Sequence, residues 1–157
     1  MELKTRRDAP WLALVILMAI STVGFIDRIV LNVLAVPIQA EFTLSDTQVG
    51  LLTGLAFAVL NVALGIFVAR IAERKRRLSL IAVGTLLWSI ATALCGFVGN
   101  WVQLLFARIG VGVGEAVGLP ATQSVVADYF PPEKRATAMS VLLLAPPVGA
   151  LIGAAGG

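Results

Sequence analysis

Long apolar runs constrain this chain more than anything else in it. The stretches 11–38, 47–69, 78–98, 101–130 and 135–157 are each apolar over most of their length and are separated by short polar joints. A helix needs about 20 apolar residues, at a rise of 1.5 Å each, to cross a hydrocarbon core of roughly 30 Å. All five runs meet that length. Spanning strands are excluded, because they alternate polar and apolar over about ten residues and these runs do not alternate. The expectation is an all-α polytopic membrane protein with five transmembrane helices behind a short N-terminal segment, residues 1–10. Composition agrees: 59% of residues are apolar and 13% charged, where a soluble domain carries about a quarter charged residues.

The same composition excludes much chemistry. There is no histidine, so His-based metal sites, proton relays and Ser-His dyads are absent. The lone Cys95 forms no internal disulfide and no multi-cysteine metal site. No nucleophile motif is present, so the chain is not expected to be an enzyme, and neither cofactor nor metal is expected.

Basic residues set the expected orientation. Lys4, Arg6 and Arg7 precede the first run; Arg70, Arg74, Lys75, Arg76 and Arg77 lie between the second and third; Lys134 and Arg135 lie between the fourth and fifth. The intervening joints 39–46 and 99–100 have none. By the positive-inside rule, the N-terminus and the basic joints are cytoplasmic. Trp11 and Trp101 fall at the expected interfaces, where indole is favoured. Topology therefore accounts for the net charge of +3, and nucleic acid is not an expected partner; the bilayer is. The start of the chain has the charge and apolar core of a signal peptide but no A-x-A-like cleavage site, so a retained first helix is expected.

Four ionisable residues lie inside the runs: Asp27 and Arg28 in the first, Arg108 and Glu115 in the fourth. Charge at the bilayer centre costs roughly 2.5–3.5 kcal/mol per residue on insertion scales, so such residues mark function or a tight structural network. Counting rise per residue puts Asp27 about 24 Å from the cytoplasmic face and Arg108 about 20 Å from it, which makes an Asp27–Arg108 pair feasible. Glu115 sits about two turns beyond Arg108 on the same helix face, with no obvious cation at its level. Either the four form a static network, or they line a polar cavity in which a carboxyl group exchanges protons. A carboxyl out of water resists ionisation, which suits proton exchange.

Gly110, Gly114 and Gly118 recur at four-residue spacing around Glu115, and Gly149 and Gly153 repeat the spacing in the fifth run. Small-residue stripes let helix backbones approach closely in lipid, and packing is their expected role. Pro120 and the pair Pro146–Pro147 are expected to loosen or kink their helices.

With these residues assembled, the chain resembles the N-terminal half of a major facilitator superfamily transporter, and more narrowly the spinster-like branch. The resemblance rests on "FIDR" in the first run, "ARIAERKRR" after the second, "ARIGVGVGEA" followed by "ADYFPPEKRATAMS" in and after the fourth, and "APPVGALIGAAGG" at the end. The loop "ARIAERKRR" departs from the superfamily pattern: Ala69 stands where Gly is usual, Glu73 replaces Asp, and the loop is one residue short. The resemblance implies that Glu73, Arg74 and Arg77 form a cytoplasmic gating charge network with Asp128 and Arg135. It also implies a cavity lined by the first and fourth helices, with Asp27, Arg28, Arg108 and Glu115 as proton-coupling or substrate-contacting charges. Superfamily members have twelve spans, with the site between two six-helix halves.

The expected function is secondary active transport of an organic solute, amphipathic or anionic, by alternating access, with proton coupling open. A lysolipid-like amphiphile is one such solute. Five helices make only part of such a protein, so the chain reads as a fragment inactive alone, with the C-terminal half of the same transporter as its partner. A short membrane subunit that assembles with partner helices through its glycine faces is the alternative. Short joints on the uncharged side point to a bacterial inner membrane.

Overall fold

The computed structural model describes residues 9–54, 58–59, 62–63, 66–67 and 77–156, apart from the side chains at positions 77, 119 and 120. Regular structure among them is entirely helical: α1 Pro10–Glu41, α2 Asp46–Thr53, α3 Arg77–Cys95, α4 Trp101–Tyr129, α5 Pro132–Leu142 and α6 Ala145–Gly156. Four stretches are long and apolar enough to cross a membrane: Pro10–Glu41, Leu78–Cys95, Trp101–Tyr129 and Pro132–Gly156, the last comprising α5 and α6. Of the run 47–69, α2 and positions 58–59, 62–63 and 66–67 are helical, and the remainder lies outside the described residues.

Local chemistry sets the helix ends. Pro10 opens α1, where its missing N–H would have been unpaired anyway. At 32 residues α1 is about 48 Å long, longer than the hydrocarbon core is thick. Beyond it, Thr43 turns the chain in the left-handed region at φ 49°. Ser45 and Gln48 then form a capping box at the start of α2, and Asn100 caps α4 by accepting from the Gln103 N–H at 2.9 Å.

The proline pair breaks the last stretch rather than bending it. Pro146 and Pro147 have no N–H to offer the carbonyls of Leu142 and Leu143, four residues back. Helix α5 ends at Leu142, a turn occupies 143–144, and α6 begins at Ala145. Helix α4, by contrast, continues through position 120.

Two close helix pairs make up the bundle, α3 with α4 and α1 with α6. Glycine makes both possible. A Cβ on Gly114 would lie 2.6 Å from Trp88 Cβ and from the Trp88 backbone nitrogen, and one on Gly84 would lie 2.8 Å from Val117 Cβ. In the second pair, a Cβ on Gly149 would meet Phe25 Cβ at 2.6 Å, and one on Gly153 would meet Ile29 Cβ at 2.9 Å. Gly110 faces Ala91 at 3.1 Å, whereas Gly118 meets nothing within 4 Å among the described residues. Four residues turn a helix by about 400°, so the stripe drifts about 40° at each step and has left the contact by its third member.

Apolar clusters close the bundle at three levels. Leu14, Leu17, Ile81, Val125, Val126 and Phe130 pack at the end where α1 begins, and Trp11 sits edge-on to Phe130 at 5.2 Å. Leu44, Leu52 and Leu104 pack at the opposite end, where the Trp101 indole N–H donates to the Gln48 carbonyl at 3.4 Å. Between them lie Trp88, Ala91 and Val111. Outward-facing apolar side chains such as Val15, Val83, Phe106 and Leu151 are exposed, as lipid-facing residues should be.

Candidate functional site

Helices α1 and α4 meet along a short seam, and all four intramembrane charges gather in it. Asp27 and Arg28 are consecutive on α1, about 100° apart around its axis, while Arg108 and Glu115 lie seven residues apart on one face of α4. The shorter Asp27 therefore serves one level and the longer Arg28 reaches another. Arg108 Nη1 donates to Asp27 Oδ2 at 3.2 Å, with the side chains 4% and 16% exposed. Arg28 donates to Glu115 Oε2 through both Nε, at 2.9 Å, and Nη2, at 2.7 Å.

The second pair corrects an expectation. Depth along the helix left Glu115 without a cation, yet Arg28 supplies one: Gly24, one turn before Arg28, lies beside Glu115 Oε1, so the guanidinium has only that turn to reach back across. Its guanidinium also lies 5.4 Å from the Phe25 ring centroid, a cation–π contact. The pair is asymmetric: the Glu115 side chain is 5% exposed and that of Arg28 is 40% exposed.

Such pairs can be opened in two ways. A proton on the carboxyl removes the charge that holds the guanidinium, and an anion can compete for the guanidinium itself. Arg28, facing outward, is accessible to such an anion. Arg108, at 3% exposure, is not.

The architecture can be set beside known proteins. The sequence profile of the Major Facilitator Superfamily matches residues 14–157. The chain belongs to the major facilitator superfamily. Among solved structures, this superfamily chain is similar to a bacterial homologue of the human lysosomal transporter Spinster. The inward-facing, unoccupied form matches with a TM-score of 0.87 and 39% identity, over 93% of this chain and 30% of that one. The inward-facing, occupied form matches with a TM-score of 0.84 and 41% identity, over 89% and 30% respectively. An MFS-type efflux pump of Mycolicibacterium smegmatis (strain ATCC 700084 / mc(2)155) is 35% identical over 94% of this chain and 34% of its own length. The sphingosine-1-phosphate transporter SPNS2 of Danio rerio is 29% identical over 94% and 30%. The chain thus spans about a third of the length of the curated relatives it matches.

Of the superfamily's expected gating charges, Glu73 and Arg74 lie outside the described residues, as does the Arg77 side chain. Asp128 is exposed on the last turn of α4. Arg135 folds back on the end of the same helix: its Nε donates to the Phe130 carbonyl at 3.0 Å and its Nη2 to the Ala127 carbonyl at 2.7 Å. A cation there satisfies carbonyls that the helix leaves open and complements the negative end of its dipole.

Sequence reasoning missed Trp88 and Gly24. In the seam, the Trp88 indole and Glu115 Oε1 approach Gly24 from two helices, each 3.9 Å from where its Cβ would be. A signal was present: Trp11 and Trp101 mark helix ends, whereas Trp88 sits in mid-span, where indole needs a reason.

Proposed function

We propose that this chain is the N-terminal part of a secondary active transporter that moves an organic solute, amphipathic or anionic, by alternating access with proton coupling. The observation that carries this reading is the pair of mid-membrane ion bridges, Asp27–Arg108 and Arg28–Glu115. Buried ion pairs are poor stabilisers compared with apolar packing, so two of them in one seam favour a working role. The exposed guanidinium of Arg28 is suited to an anionic head group, and a lysolipid-like amphiphile joins such a group to an apolar tail. The sphingosine-1-phosphate and spinster relatives support that solute class.

In this reading the spans are about 11–38, 47–69, 78–98, 101–130 and 135–157. The N-terminus is cytoplasmic in a bacterial inner membrane, and the C-terminal half of the same protein completes the site. Glu73, Arg74, Arg77, Asp128 and Arg135 form the cytoplasmic gate. Glu115 is the proton-exchanging group, because a proton there releases Arg28, the more exposed of the two seam arginines.

The test is flux through the complete transporter in proteoliposomes under an imposed pH gradient. Glu115→Gln is expected to abolish gradient-driven uptake while expression and counterflow exchange persist. Undiminished gradient-driven uptake by that variant would overturn the assignment.

A further inference from the structure

The guanidinium of Arg28 is held at more than one point. Side chains on a helix lean toward its N-terminus, and Arg28 reaches back over the preceding turn to Glu115. Phe25, three residues earlier, lies on the same side of α1 and so beneath that reach. Its ring centroid is 5.4 Å from Arg28 Cζ, within the distance at which a ring face attracts a cation. The root of Phe25 is fixed in turn by α6: a Cβ on Gly149 would meet Phe25 Cβ at 2.6 Å and the Thr22 carbonyl oxygen at 2.7 Å.

The bonds to Glu115 leave the orientation of Arg28 open. Nε and Nη2 both donate to a single oxygen, Oε2, at 2.9 and 2.7 Å, so the fork has one anchor atom and can swing about it. The side chain is 40% exposed, and packing alone does not hold it. A second anchor away from Oε2 removes that freedom, and the Phe25 ring is such an anchor. A guanidinium carries five N–H donors. With Nε and Nη2 turned to Glu115, the Nη1 end makes no hydrogen bond among the described residues and stays available to an anion.

We propose that Phe25 is a positioning residue: its ring fixes the Arg28 guanidinium on Glu115 so that the Nη1 end is presented to an anionic head group. Phe25 acts through Arg28 rather than on the anion, by the attraction of its negative ring face for the cation. Helix α6 holds the ring in place by its contact with the Phe25 Cβ. An aliphatic side chain of similar size fills the same space without such a face, whereas a tyrosine ring keeps it. The importance of this contact for transport rests on the anionic-solute reading above; the positioning of Arg28 itself does not.

The test uses the complete transporter in lipid nanodiscs, with arginine side chains labelled with nitrogen-15 for magnetic resonance and radiolabelled oleoyl-lysophosphatidylglycerol as the anionic probe. Arg28→Gln identifies the Arg28 Nε–H signal by its disappearance. Phe25→Leu keeps a Cβ against Gly149; it is expected to shift that signal and to weaken probe binding by about two- to thirtyfold. Phe25→Tyr should leave both near their unmutated values. Phenylalanines carrying one, two and three ring fluorines in place of Phe25 weaken the negative face stepwise at nearly constant shape, and affinity should fall in step. A purely structural ring would not respond to that series. An unmoved Arg28 signal in Phe25→Leu overturns the proposal, and so does an affinity that is flat across the fluorine series while Arg28→Gln abolishes binding. The two readings fail separately. A shifted Arg28 signal with probe binding indifferent to Arg28→Gln keeps Phe25 as the group that positions Arg28 and removes the anionic-solute reading. An unmoved signal with binding lost in Arg28→Gln does the reverse.

Discussion

The two ion pairs differ in what happens when one partner goes. Arg108 is 3% exposed, so Asp27→Asn removes the negative charge facing a buried cation. Breaking a buried pair in this way costs about 3 kcal/mol or more. The Arg28 side chain is 40% exposed, and Glu115→Gln leaves it free to turn outward; for an exposed partner the cost is about 1 kcal/mol or less. Thermal unfolding in detergent should therefore rank Asp27→Asn well below Glu115→Gln in midpoint, and the reverse order would show that exposure does not govern these pairs. The residue scale also marks where sequence reading stopped. Rise per residue brought Asp27 and Arg108 level because both counts follow the helix axis. The same count missed the Arg28–Glu115 pair, since it does not give how far the two helices are offset along their axes, and the structure sets Gly24 beside Glu115. Trp88 stayed hidden because the groups it packs beside, Gly24 and Gly114, lie on other helices.

Among the elements, glycines sort by what they face rather than by their spacing. A Cβ at Gly114 would enter the Trp88 backbone at 2.6 Å, which a flexible side chain could not relieve, whereas one at Gly118 meets nothing within 4 Å among the described residues. Gly114→Ala is expected to push α3 off α4 at a cost of about 2 kcal/mol. Gly118→Ala should be neutral or slightly stabilising, since alanine has the higher helix propensity. Urea or dodecyl sulfate titration of the two purified variants distinguishes them, and equal stability would mean that the α3–α4 contact yields more easily than its geometry suggests. The helical character of the chain was legible because runs of this length have no other way to satisfy their backbones in lipid. Which glycines pack was not, because the pattern in one helix does not reveal the angle at which its neighbour crosses. Nor was the division of α5 from α6. The prolines signalled a disturbance, but only the missing donors to Leu142 and Leu143, met by the turn at 143–144, show that it amounts to a break.

Across the whole molecule, Trp11 against Phe130 brings the beginning of α1 and the α4–α5 joint to one end, with Trp101 and Gln48 at the other. By the positive-inside rule the first end is expected on the cytoplasmic side, as in the proposed topology. Cysteines placed at Glu133 and at Gly99 in a Cys95→Ala background test that assignment. A membrane-impermeant thiol reagent added to intact cells should label position 99 and spare position 133. Labelling of 133 instead would invert the topology. The family and the all-helical fold were readable from ordered motifs and apolar runs, whereas the pairing of α1 with α6 joins segments at opposite ends of the chain, and the Gly149–Gly153 stripe signalled a close contact without naming its partner.

That long-range pairing has a consequence for how the protein is made. The glycines that receive α1, Gly149 and Gly153, emerge from the ribosome more than a hundred residues after Phe25 and Ile29. At about 5–20 residues per second, the first helix waits roughly 6–25 seconds in the membrane before its partner exists. During that interval Arg108 and Glu115 are missing too for much of the time. The adjacent opposite charges of Asp27 and Arg28 offset each other while α1 stands alone, and they exchange that mutual neutrality for the two separate bridges once α4 arrives.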